Sequence, residues 1–139
     1  MDLARALAAL QRGEFILVYD GDGREEETDL TIASEFVTSE SVRTLRKEAG
    51  GLICTTLSGE VRARIGLPFM AEVLRRSGAA YPVLDAISKE DMKYDRHSAF
   101  SISVNHRDTF TGVTDVDRAK TISRFAAIEI GRASCRERV

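Results

Sequence analysis

The sequence predicts an α/β chain of the α+β kind: a layered domain in which a mixed β-sheet is flanked by helices. Apolar residues recur at helical spacing in several segments with capping residues before them, and short β-branched runs stand between those segments. The two kinds interleave without an internal repeat, which favours one layered domain over an array. With 139 residues, 43% hydrophobic and 30% charged, the chain carries too much apolar surface for disorder and enough for one core.

The elements follow in order. Asp2 is placed to cap a first helix, Leu3, Leu7 and Leu10 share one face, and Gly13 sits where it should stop. The apolar run over residues 15–19 predicts a strand buried on both faces. Residues 20–29 are polar and include Gly21 and Gly23, so they read as a loop, with a short second strand over residues 30–33. Thr38 or Ser39 begins a helix carrying Val42, Leu45 and Ala49 on one side, and Gly50 and Gly51 end it. A third strand is expected over residues 52–57. Ser58 caps a short helix that stops near Gly66, with Pro68 enforcing the break. Another short helix is expected around residues 72–76. Phe100, Ile102 and Val104 alternate with Ser101, Ser103 and Asn105, the pattern of a half-buried strand. Thr114 or Asp115 then caps a helix bearing Val116, Ala119, Ile122 and Phe125.

Composition removes several classes of function. Twenty basic and 22 acidic residues leave a net charge of −2, which gives no whole-chain reason to expect nucleic acid or an anionic membrane as partner. No apolar stretch reaches the roughly 18 residues of a membrane span. The first residues lack the order of a signal peptide, so a cytoplasmic location is the expectation. Cys54 and Cys135 are too few for a disulfide framework or a four-thiolate zinc site. Residues 129–139 lose apolar periodicity and match the translation of a common sequencing adapter, so they read as a non-native tail and Cys135 carries no weight.

Chemistry concentrates in residues 20–29, where Asp20, Asp22, Glu25, Glu26, Glu27 and Asp29 surround Arg24. Such crowding raises carboxylate pKa values or recruits a cation, and an all-oxygen set suits a hard ion, magnesium or manganese. A charge run of this kind is also what an ordinary solvated loop looks like. An EF-hand fits worse, because Arg24 falls at a ligand position, Glu25 replaces the turn glycine and Thr31 the closing glutamate.

The run Asp20-x-Asp22-x-Arg24-Glu25-x-Glu27-x-Asp29 resembles the acidic active-site loop of the 3,4-dihydroxy-2-butanone 4-phosphate synthases. Three further segments agree in order and spacing: residues 46–54, residues 66–70, and Phe110-Thr111-Gly112-Val113-Thr114-Asp115-x-Asp117-Arg118-Ala119-x-Thr121-Ile122. With residues 101–107 they look most like the archaeal form. The resemblance covers about residues 3 to 128, so residues 1–128 read as the N-terminal part of one synthase domain. The family's second half, with a metal-binding histidine, a catalytic histidine and a later glutamate, has no counterpart in the chain, which is expected to be inactive alone.

The resemblance implies a homodimeric lyase that converts ribulose 5-phosphate into 3,4-dihydroxy-2-butanone 4-phosphate and formate with Mg2+ or Mn2+. It implies metal contacts at Glu25 and Glu27, acid/base work at Glu27 and Asp29, and substrate contacts at Arg24, Glu25, Asp29, Thr111, Tyr94 and Cys54. Glu26 departs from the family, whose members usually carry a small or amide residue there. The chemistry suits these residue types. A carboxylate base can remove the proton beside the carbonyl if its pKa is tuned, and a divalent ion stabilises the enediolate that results.

Other residues have blander readings. Free cysteines are usually buried, which favours Cys54 as a small core residue over a substrate-facing thiol. Tyr94 by pattern is a loop tyrosine with a wet hydroxyl. His97 and His106 have no partner at a suggestive spacing and read as surface or strand-end residues. The rival function, from another class, is a non-catalytic divalent-ion module. The segment after Phe110 discriminates, because an ion binder has no use for it.

Overall fold

The computed structural model describes residues 2–84, 93–94 and 98–131. The chain divides into two units, Met1–Leu57 with Val104–Val139 and, separately, Ser58–Ser103. Within the first unit, helix α1 (Leu3–Gln11) starts where Asp2 accepts the Arg5 amide at 3.4 Å. It ends before Gly13, at φ 73°, where a Cβ would stand 2.9 Å from the Cβ of Phe36. Both the left-handed backbone and the close approach therefore require glycine there. Strands β1 (Ile16–Tyr19) and β2 (Thr28–Thr31) pair antiparallel, with Val18 opposite Asp29 and Tyr19 opposite Thr28.

A 3-10 turn (Ser34–Phe36) leads to α2 (Ser39–Thr44), whose Thr38 and Ser41 cap each other reciprocally. The chain widens into a π-turn (Leu45–Ala49) that ends on Gly50 in the left-handed region. The last helix of this unit, α5 (Asp115–Glu129), is capped by the Thr114 hydroxyl and packs on α2 and on the 3-10 turn. Val37, Val42 and Ala119 form the core there, with Ile32, Ile53 and Ile122 against it. In the second unit, Ser58 caps α3 (Gly59–Ile65), and α4 (Met70–Ser77) begins where the Met70 amide donates to the Phe100 carbonyl at 2.9 Å. Arg62 donates to the Leu67 carbonyl and lies over the Phe69 ring, tying the α3–α4 turn together.

Helices, strands and caps give the α+β class, while the sheet differs from expectation. Among the described residues it is a two-stranded antiparallel hairpin rather than a larger mixed sheet. Three expected features change with it. The run over residues 15–19 forms a strand that is not buried on both faces: Leu17 is 66% exposed, and Val18 and Tyr19 are also exposed. Residues 52–57 have no ladder, although Ile53, Thr55 and Leu57 are half-buried and Leu52, Cys54 and Thr56 exposed, as in a strand. Residues 100–104 make a single bridge, Ser101 to Phe69, and the apolar side of the alternation, Phe100 and Ile102, faces outward. Alternation sets side-chain direction, but a strand also needs a neighbour for its amides and carbonyls, and beyond that one bridge no ladder forms with these segments among the described residues. The second strand lies two residues earlier than expected, because its register follows from pairing with β1.

His106 is 8% exposed and so is not a surface residue. Its Nδ1 accepts the Asp108 amide at 3.2 Å, and its own amide donates to the Thr121 hydroxyl at 3.0 Å. His97 and residues 132–139 lie outside the described residues, while Glu129 is the last residue of α5.

Candidate functional site

The acidic segment is the connection of the β1–β2 hairpin, which places its ends on paired strands and leaves its middle to organise itself. The Asp20 amide donates to the Glu27 carbonyl at 3.3 Å and closes the loop. Inside it, the Asp20 carboxylate accepts the Glu25 amide through Oδ2 at 3.0 Å, and the same oxygen faces the Arg24 guanidinium at 3.7 Å. Tyr19 donates its hydroxyl to Asp22 at 2.8 Å. Glu26 is the one non-glycine among the described residues with a positive φ, 56°, and its carboxylate turns back to accept the Gly23 amide at 3.2 Å. Glycine or asparagine adopts that backbone more readily than glutamate does, so Glu26 holds a strained position while its carboxylate serves the loop's own backbone.

Glu25 and Glu27 have their carboxyls together. The charge of Glu25, and a hydrogen bond between the two, hold the Glu27 carboxyl above its ordinary value, with smaller contributions from burial, Asp29 and Asp20. Two carboxylates so placed share a proton or a cation. Asp20 Oδ1 is shielded from solvent and has no hydrogen-bond partner among the described residues. The donor set and this orphaned oxygen fit a hard divalent ion. Yet no three of His, Cys, Asp and Glu converge as a metal group among the described residues. Glu25 and Glu27 are the carboxylates that could hold such an ion, and magnesium held by one or two carboxylates keeps several waters. Asp29 stands on β2 rather than in the loop, opposite Val18, so the ladder holds its backbone.

Thr111 lies in a separate cluster at the start of α5. Asp117 Oδ2 accepts the Thr111 and Gly112 amides, both at 3.0 Å, and Oδ1 accepts the Phe110 amide at 3.4 Å. Burial pushes the Asp117 carboxyl up, but the amides of Gly112, Thr111 and Phe110 outweigh it and hold the group below its ordinary 3.8. No hydrogen bond joins Thr111 to the acidic loop among the described residues. Cys54 is exposed, which removes its reading as a core residue. Tyr94 belongs to the second unit, half-buried, with the Lys93 ammonium 4.7 Å from its ring centroid.

Asp20, Arg24, Glu25 and Glu27 therefore share one loop, with Asp29 next to it on β2, while Thr111 belongs to the cluster around Asp117. Asp20 and Asp117 stand in the sequence motifs without a role of their own, and the structure makes both organising residues. For Asp117 a signal was present: an acidic residue three positions after a Thr N-cap.

A family model described as 3,4-dihydroxy-2-butanone 4-phosphate synthase matches residues 4–137. The protein of that name from Methanothermobacter thermautotrophicus is 49% identical over 126 residues, 91% of this chain and 55% of the relative. The one from Methanosarcina mazei is 44% identical over 129 residues, 91% of this chain and 52% of the relative. A crystal structure of a 3,4-dihydroxy-2-butanone 4-phosphate synthase in complex with two magnesium ions superimposes with a TM-score of 0.67 at 29% identity, over 87% of this chain and 49% of that one. The chain spans about half the length of the curated relatives it matches.

Proposed function

The chain belongs to the 3,4-dihydroxy-2-butanone 4-phosphate synthase family, and from that membership we propose that the protein it represents converts D-ribulose 5-phosphate into L-3,4-dihydroxy-2-butanone 4-phosphate and formate, a lyase step of riboflavin biosynthesis. The observation that carries the reading is the Glu25–Glu27 pair, in which the charge of Glu25 and a hydrogen bond to it hold the Glu27 carboxyl above its ordinary value, the direction that a carboxyl moving protons needs. Glu27 and Asp29 act as acid/base groups for the proton beside the substrate carbonyl. Arg24, Glu25, Asp29, Thr111, Tyr94 and Cys54 contact the sugar phosphate. Glu25 and Glu27 hold Mg2+ or Mn2+, which when bound stabilises negative charge developing on adjacent substrate oxygens. Asp20 organises the loop by accepting the Glu25 amide and facing Arg24, so that both are held in a fixed frame. No helix among the described residues is long and apolar enough to cross a membrane. We place the working enzyme in the cytoplasm as a homodimer, without nucleic acid or membrane as partner. The comparisons give no support to a non-catalytic ion-binding module.

Formate release from ribulose 5-phosphate by a complete enzyme carrying these residues is the test. Glu25→Gln is expected to abolish it, and Asp29→Asn to cost about 100-fold or more, the scale of a lost acid/base group. Glu26→Gln is expected to matter little, because an amide oxygen can still accept the Gly23 N–H. Equal losses for all three would mean that bulk charge, not named groups, carries the activity.

A further inference from the structure

We propose that Asp117 is a positioning residue that presents Thr111 to the substrate. The proposal rests on the synthase reading above. Three consecutive amides, those of Phe110, Thr111 and Gly112, converge on one carboxylate, and the Thr111 hydroxyl reaches the same Oδ2 at 3.4 Å. That carboxylate stands on the first turn of α5, the unit's longest described helix, whose Ala119, Phe125, Ala126 and Ile128 are buried. The anchor is therefore rigid while the loop it holds is at the surface. From the other side, Gly112 (φ 76°) lies so close to the Asn105 side chain that an added Cβ would overlap it. The neighbouring turn is braced in the same direction: the Thr109 hydroxyl donates to the His106 carbonyl at 2.7 Å, and Lys120 of α5 to the Asp108 carbonyl at 3.1 Å. A segment needing only to connect two elements has no use for so many bonds to one carboxylate. The bonds leave the Thr111 backbone turned inward and the residue itself exposed.

Asp115, two residues earlier, supplies a matched control. It carries the same charge on the same helical turn, but it accepts from Arg46 Nε and Nη2 at 3.0–3.1 Å and is bonded to none of the three loop amides. In the chain itself, Asp117→Ala is expected to speed hydrogen exchange at the 110–112 amides by about tenfold or more, with Asp117→Asn between it and wild type and Asp115→Asn unchanged. In a complete enzyme, Asp117→Ala should raise KM for ribulose 5-phosphate about tenfold with kcat within about threefold, the pattern of lost substrate binding. Thr111→Ala should do the same, and the double variant should be no worse than either single. Unchanged amides overturn the clamp whatever the kinetics. Loosened amides with additive effects at 117 and 111, or an Asp115→Asn that matches Asp117→Ala in KM, overturn the positioning role. A wild-type complete enzyme that releases no formate overturns the synthase reading, and this role with it.

Discussion

At the scale of single residues, the acidic loop is a set of carboxylates with distinct tasks. Asp20 and Glu26 spend theirs on loop amides, and Asp22 on the Tyr19 hydroxyl. Glu25 and Glu27 face each other, and Glu27 titrates above its ordinary 4.5 because of it. A carboxyl raised in the folded state favours folding while it is protonated, below its unfolded value. That contribution is lost as pH rises through the folded value. Glu27→Gln is therefore expected to raise the melting temperature at pH 7 in metal-free buffer and to change little at pH 4. Melting curves of both proteins at the two pH values check this. A variant destabilised equally at both would show that Glu27 is held by packing and not opposed by charge.

At the scale of elements, two loops do the positioning, and each is braced by regular structure on its flanks. The acidic loop hangs on the β1–β2 ladder, and residues 110–112 hang on the first turn of α5. Helix caps were legible from sequence because they are local: Asp2, Thr38, Ser58 and Thr114 each sit directly before the helix whose amide they satisfy. The crowding at Gly112 was not, since Asn105 is seven residues away and reaches it only through the turn between them. Gly112→Ala combines that overlap with a left-handed backbone, so it is expected to destabilise the chain by about 1–3 kcal/mol. Denaturant midpoints are the measurement, and a loss below about 0.5 kcal/mol, within the range of ordinary surface substitutions, would mean that Asn105 simply swings aside.

At the scale of the whole molecule, the question is how many ligands the acidic loop can offer an ion. Glu25 and Glu27 are the two proposed metal ligands, and no three side chains of metal-binding type converge among the described residues. The 139-residue chain is therefore expected to bind Mn2+ weakly, with a dissociation constant on the order of millimolar, as for sites with few charged ligands. It is also expected to release no measurable formate from ribulose 5-phosphate. Relaxation titration with Mn2+ tests the first expectation, and Glu25→Gln binding as well as wild type would remove Glu25 from the site. Turnover within about tenfold of a full-length relative would contradict the second, and would mean that these residues suffice as a unit.

By itself the sequence determined what depends on neighbours along the chain. It set where the helices start and stop, which residues crowd the acidic loop, and which linked motifs mark the family. Tertiary structure alone decided which expected strands find partners, that Cys54 is exposed while His106 is buried, and that Asp117 rather than Asp115 holds Thr111. The physical reason is range. A cap or a turn is satisfied within a few residues, and its chemistry is written in order. A ladder, a buried imidazole or a carboxylate shared among three amides depends on atoms that only folding brings within 3–4 Å, and alternating polarity does not say which atoms those are.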